Sequence, residues 1–196
     1  FAVGSTFDGQ FARSLIFRFD GSTWQRMPLP SPVAPSLTDI WGSAANDVYA
    51  VGRDEEAEVA TAVILRYDGA SWVPVVQQEN LLLNSVWGSS ASDVFAAGFR
   101  IEERGEEFEV IGSILHFDGV TWTPMPVPPT GVLHSIWGSS ATEVFAVGDD
   151  GAVLQYDGAV WTKTIETTEA LLGVWTNSPG DAFAVGTGGT ILHGTP

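Results

Sequence analysis

An all-β architecture is predicted by three observations. A phrase of a dozen residues is written three times, as WGSAANDVYAVG from Trp41, WGSSASDVFAAG from Trp87 and WGSSATEVFAVG from Trp137. A second phrase recurs between them: IFRFDGSTW from Ile16, ILRYDGASW from Ile64, ILHFDGVTW from Ile114 and VLQYDGAVW from Val153. No segment shows helical periodicity; short apolar runs are cut by Gly, Ser and Asp-Gly punctuation instead. A lone active site would need its residues once, whereas an assembly of copies needs them in every copy.

Each unit divides into four short strands. Strand A is the run before and including the tryptophan, LTDIW from Leu37, LNSVW from Leu83, LHSIW from Leu133 and LLGVW from Leu171. Strand B is the DVFAVG phrase, strand C the ILxYD phrase, and strand D the Trp-led run such as WTPMPV from Trp122. Gly-Ser turns join A to B, and an Asp-Gly turn joins C to D, its Asp suited to accept backbone N–H bonds while its Gly takes positive φ. The tryptophans at 41, 87, 137 and 175 set a repeat of roughly 40 to 50 residues, the size of a four-stranded propeller blade. The prediction is one β-propeller domain of four-stranded antiparallel blades over 1–196, in five units of approximately 1–36, 37–82, 83–132, 133–170 and 171–196. One blade cannot bury both faces of its sheet, so like blades stack, and the repeated Trp, Phe and Val are expected at the joints. The first unit lacks strand A and the last lacks strand D, and these ends are not complementary. The expectation is a five-blade ring with ragged ends or an arc of a larger ring, completed by further blades or a neighbouring chain. A start in mid-repeat favours the arc.

Composition narrows the function classes. The 24 acidic residues stand against seven Arg and the single Lys163, a formal charge of −16. That charge opposes nucleic acid and anionic membrane surfaces. Absence of Cys removes disulfides, thiol nucleophiles and thiolate metal sites. No apolar run approaches the roughly 18 residues of a bilayer span.

At these residues the sequence resembles a known group. LHSIWGSSATEVFAVGDDGAVLQYDGAVW is similar to the repeat of the Asp-box (BNR-type) propellers, which include bacterial sialidases and the photosystem II assembly-factor propellers. The last repeat element, Asp-Gly-x-Ser/Thr-Trp, is kept by RFDGSTW, RYDGASW and HFDGVTW, while QYDGAVW carries Ala159 and Val160 there. The WGSS-DVFAVG wording resembles repeats of large exported proteins of soil bacteria. The resemblance implies a propeller scaffold and a secreted, periplasmic or cell-surface location. It is weak for activity, because Asp boxes belong to the scaffold.

Where the copies disagree, function is expected. The A–B and C–D turns are monotonous and share one side of a propeller. The B–C and D–A connections share the other side, and they vary. The B–C connection is short in the last two units but grows to STFDGQFARS, RDEEAEVATAV and FRIEERGEEFEVIGS in the first three. The D–A connections MPLPSPVAPS and MPVPPTG are Pro-rich and stiff. Long hairpins and stiff loops on a rigid scaffold are where binding resides. The candidate binding residues are Phe7, Phe11, Phe99, Arg100 and Phe108 in these connections, with His134, at the repeat position of Thr38 and Asn84, near the mouth of the channel. The Phe residues either bury one another within the hairpins or, exposed together, mark a partner or sugar platform. The many acids there read as solvated, aggregation-blocking edges.

No catalytic set is visible. A sialidase needs an Arg cluster and a Tyr nucleophile, but Tyr49, Tyr67 and Tyr156 all stand at repeat positions otherwise held by Phe. Arg18 and Arg66 are repeat positions too, as are His116 and His193, so no zinc site and no cofactor are expected. The preferred reading is a non-catalytic exported module that binds a protein partner through the variable face. A glycan-binding propeller is the first alternative and a glycoside hydrolase-like enzyme the second. Against the lectin stands the expectation that Trp24, Trp72, Trp122 and Trp161 pack inward.

Overall fold

A computed structural model describes residues 1–7, 12–30, 36–54, 58–165 and 167–194. Its strands form five antiparallel sheets in chain order, each a meander in which every strand pairs with the next. Blade 1 contains β1 (Ala2–Phe7), β2 (Ala12–Phe19) and β3 (Trp24–Met27). Blade 2 contains β4 (Ser36–Ala44), β5 (Asp47–Asp54), β6 (Thr61–Tyr67) and β7 (Trp72–Glu79). Blade 3 contains β8 (Leu81–Ser90), β9 (Asp93–Arg104), β10 (Glu107–Phe117) and β11 (Trp122–Met125). Blade 4 contains β12 (Leu133–Ser140), β13 (Glu143–Gly148), β14 (Val153–Tyr156) and β15 (Trp161–Ile165). Blade 5 contains β16 (Leu171–Ser178), β17 (Asp181–Gly186) and β18 (Ile191–Gly194). This is the predicted β-propeller of four-stranded blades, with the first and last sheets three-stranded.

The alternation of side chains along each strand explains the joints. On one face of blades 1 to 4 lie the B-strand aromatic and the apolar residues two along; on the other lie the aromatics that flank the Asp-Gly turn. Tyr49, Val51 and Ile64 of blade 2 thus meet Leu83, Val86, Leu115 and Phe117 of blade 3. Phe95, Ala97 and Ile114 of blade 3 meet Leu133, Ile136, Leu154, Tyr156 and Trp161 of blade 4 in the same way. The aromatic contacts repeat too: Tyr49 lies 5.8 Å from Trp122, Phe95 6.3 Å from Trp161 and Phe1 6.0 Å from Trp72, all close to edge-on. Each such side chain, fully buried, contributes about 1.5–3 kcal/mol, so the joints rather than single blades hold the fold.

Two further devices recur at the inner strands. The Trp87 ring lies against Gly138 of the next blade, where an added Cβ would sit 2.6 Å from it, and Trp41 lies against Gly88 likewise. The Gly of the Trp-Gly phrase is therefore a seat for the preceding blade's tryptophan. Side chains also stitch blade to blade. The Thr38 hydroxyl donates to the Leu83 carbonyl at 3.0 Å, and the Asn84 amide to the Leu133 carbonyl at 2.8 Å. Asp39, Ser85 and Ser135 accept the backbone N–H of Val86, Ile136 and Val174.

The Asp-Gly turns behave as expected. One carboxylate oxygen each of Asp20, Asp68, Asp118 and Asp157 accepts two backbone N–H bonds at 2.8–2.9 Å, and Gly21, Gly69, Gly119 and Gly158 carry φ between 93° and 102°.

One expectation is corrected at the ends of the stack. Trp72 and Trp161 are buried and Trp122 is half-buried, but Trp24 is 55% exposed, because no described blade precedes blade 1. At the opposite end Trp175 is 47% and Ile191 71% exposed, while Ile64 and Ile114, at the repeat position of Ile191, are buried.

Candidate functional site: the ribbon of blade 3

Strands β9 and β10 outgrow their sheet. Strand β8 pairs with β9 only as far as Leu81 opposite Arg100, and β11 pairs with β10 only from Ile114 opposite Met125. Beyond those points β9 and β10 continue alone as a two-stranded ribbon, in register from Ile101 opposite Val110 to Arg104 opposite Glu107. The turn is two residues, Gly105 and Glu106, with Gly105 at φ 70°. Such a tight turn holds the register, so the two faces of the ribbon are sorted strictly by parity.

The ribbon is amphipathic. Phe99, Ile101 and Glu103 share one face with their cross-strand partners Gly112, Val110 and Phe108. Arg100, Glu102 and Arg104 share the other with Ile111, Glu109 and Glu107. The polar face is laced by ion pairs, Arg100 to Glu102 at 2.6 Å, and Arg104 to Glu109 at 2.6 Å and to Glu102 at 3.5 Å. The Arg100 hydrogen bond is the main reason that the Glu102 carboxyl is held below its ordinary value. The apolar face continues the row of Phe95, Ala97 and Ile114, and so is the face turned toward blade 4. Phe99 and Ile101 are half-buried, whereas Phe108 is 72% and Val110 43% exposed.

Blade 4 is low at this point, which is why the face is open. Its B–C connection is a single turn, Asp149–Gly151, in place of a hairpin. The Pro-rich connection after β11 reaches the base of the ribbon on the β10 side, where the Gly112 N–H donates to the Thr130 carbonyl at 2.9 Å. His134, on the first strand of blade 4, is tied by its Nε2 to Asp149 at 2.7 Å, and the Asp149 N–H donates to the Val132 carbonyl at 2.9 Å. Pro-rich connection, His134–Asp149 pair and short turn are thus one rigid floor beside the ribbon.

Of the candidate residues, Phe99 and Phe108 share the apolar face, Phe99 at its base and Phe108 near the turn, and Phe108 is not buried by its neighbours. Arg100 falls on the opposite face, in an ion pair. His134 is a strut of the floor. Phe7 closes β1 with its backbone; its side chain, and the whole of Phe11, lie outside the described residues. Ile101 and Val110 were overlooked. Their signal was present in FRIEERGEEFEVIG, whose apolar residues stand two apart on either side of the turn.

The remaining polar groups serve the scaffold. His116 is bound to Asp93 at 2.7 Å and stacked on Phe95; His193 is bound to Asp181 at 2.8 Å and stacked on Phe183. Arg66 occupies the same repeat position, bound to Asp47 at 2.8 Å and lying over the Tyr49 ring. Tyr49, Tyr67 and Tyr156 are buried. A cleft of about 640 Å³ opens between blades 2 and 3 and is lined by Tyr49, Arg66, Gln77 and Trp122 among others. Its one cation is already committed to Asp47, and no paired carboxylates face across it. No group of three metal-ligating side chains occurs among the described residues, and no helix there is long and apolar enough to cross a membrane.

Comparison with known proteins agrees with the architecture. One solved structure, described as YCF48 bound to D1 peptide, superposes with a TM-score of 0.56 at 20% sequence identity. The likeness is one of fold. It covers 88% of this chain and 53% of that one, so the chain spans about half the length of that structure. YCF48 from Cyanidioschyzon merolae matches at 12% identity and a TM-score of 0.41, covering 94% of this chain and 79% of that one. A luciferin-regenerating enzyme matches at 11% identity and a TM-score of 0.36, covering 89% and 81%. No family model matches the chain, and no curated protein matches it.

Proposed function

We propose that this propeller is a non-catalytic, exported protein-interaction module that receives its partner beside the blade 3 ribbon. The observation that carries the reading is the exposure of Phe108 and Val110 on a ribbon whose opposite face is closed by its own ion pairs. A rigid, amphipathic hairpin standing above a low neighbouring blade presents apolar surface that the molecule itself does not cover. The structure described as YCF48 bound to D1 peptide is a propeller of related shape with a peptide partner, which supports a binding rather than a catalytic use of the scaffold. Export rests on the resemblance to exported bacterial repeats and on the scarcity of Lys and absence of Cys.

Selection of a displayed random-peptide library on the immobilised protein tests this. Selected peptides should lose binding to a Phe108→Glu, Val110→Glu double variant and keep it with Val120→Glu, which alters an exposed residue of a C–D turn on the other side. Ligands insensitive to the ribbon variant, or turnover of any substrate lost on replacing a single acidic residue, would overturn it.

A further inference from the structure

We infer that the partner segment adds to the free edge of β10 as an extended strand whose residues alternate between apolar and basic. This rests on the ribbon being the binding surface, and specifies how it binds.

The first step concerns backbone direction. The Gly112 N–H points away from β9, since it donates outside the ladder to Thr130. On the β9 side the Ile101 N–H likewise leaves the ladder, to the Asn80 carbonyl at 2.9 Å. N–H groups alternate direction along a strand, so those of Val110 and Phe108 point outward as Gly112 does. A tight turn between Arg104 and Glu107 makes that pair the doubly bonded one and gives the same parity. Strand β11 stops short of these residues, and among the described residues nothing bonds the outward groups of Phe108 and Val110. An unpaired edge of this kind is a template for another strand.

The second step concerns side chains. A residue directly opposite Phe108 or Val110 would share their apolar face. Its neighbours in sequence, opposite Glu107 and Glu109, would share the acidic face. The ribbon carries five Glu against two Arg between residues 100 and 109, within a chain of net charge −16. Glu107 on that face, and Glu106 in the adjoining turn, have no cation partner among the described residues. Cross-strand pairing therefore selects apolar residues at one parity and Lys or Arg at the other, and the overall field draws such a peptide in.

The test uses an amidated, acetylated peptide of alternating Val and Lys. Fluorescence anisotropy should show saturable binding that weakens with added salt, and a peptide of the same composition with Val and Lys in blocks should bind about tenfold more weakly. N-methylation of the peptide backbone at one set of alternate residues should cost about tenfold or more, and at the other set should have little effect, because only one set faces β10. Glu107→Lys should weaken this peptide and strengthen one of alternating Val and Glu. Absence of binding, or equal sensitivity to methylation at both sets, would overturn strand addition. Binding indifferent to both methylations but lost in Phe108→Glu would also overturn it, while leaving the ribbon as the interaction surface.

Discussion

Gly138 lies where a single methyl group decides whether two blades can meet. A Cβ there would stand 2.6 Å from the Trp87 ring and 2.8 Å from the Glu143 carbonyl oxygen, and neither a buried indole nor a backbone oxygen can swing aside. Gly138→Ala should destabilise the protein by about 1–3 kcal/mol, the range of overpacked cores, seen as a lower denaturation midpoint with unchanged slope. The Asp-Gly turns make a second prediction at this scale. The Asp118 carboxyl is held below its ordinary value of 3.8 mainly by the N–H of Thr121 and then by that of Val120. A carboxyl with a depressed folded-state value adds stability that is present above the ordinary value and lost as pH falls through the folded one. Asp118→Asn keeps the acceptor oxygen but removes the titration, so unfolding should depend less steeply on pH between about 5 and 2. Equal slopes in the variant and the parent would refute that assignment.

At the scale of elements, the ribbon and the blade beneath it obey different rules. Blade 3 is fixed by joints on both faces, whereas the ribbon beyond Arg100 is held by its own ladder, its turn, three ion pairs and the bond from the Ile101 N–H to the Asn80 carbonyl. Phe108→Ser should therefore leave stability within about 0.5 kcal/mol of the parent while removing partner binding, because the side chain meets solvent and no joint. Thermal unfolding followed beside peptide binding separates the two effects; a large loss of stability would mean that Phe108 is packed after all.

The whole molecule is a one-dimensional stack in which each blade answers only to its neighbours. Blade 3 has two complete joints, while blade 5, among the described residues, packs against blade 4 and leaves Trp175, Val185 and Ile191 exposed. Amide exchange should accordingly release β16 to β18 at markedly lower free energy than β8 to β10. Uniform protection across the five blades would instead show that the stack opens as one unit.

Architecture was legible in the sequence because it is repetitive. The Trp-Gly phrase, the Asp-Gly turns and the buried aromatic positions each recur with one physical job, and a job done four times leaves four copies to compare. Chemistry at Tyr49, Tyr67 and Tyr156 was legible for the same reason, since sister positions hold Phe. Single occurrences were not. That Arg100 faces away from Phe99, that His134 is braced by Asp149, and that Trp24 lies open all depend on what stands opposite them. The exposure of Phe108 follows from a neighbour some forty residues away, Asp149–Gly151, being short. Local sequence sets strand parity and turn type; which face is covered is decided only when another blade arrives, or fails to arrive, in space.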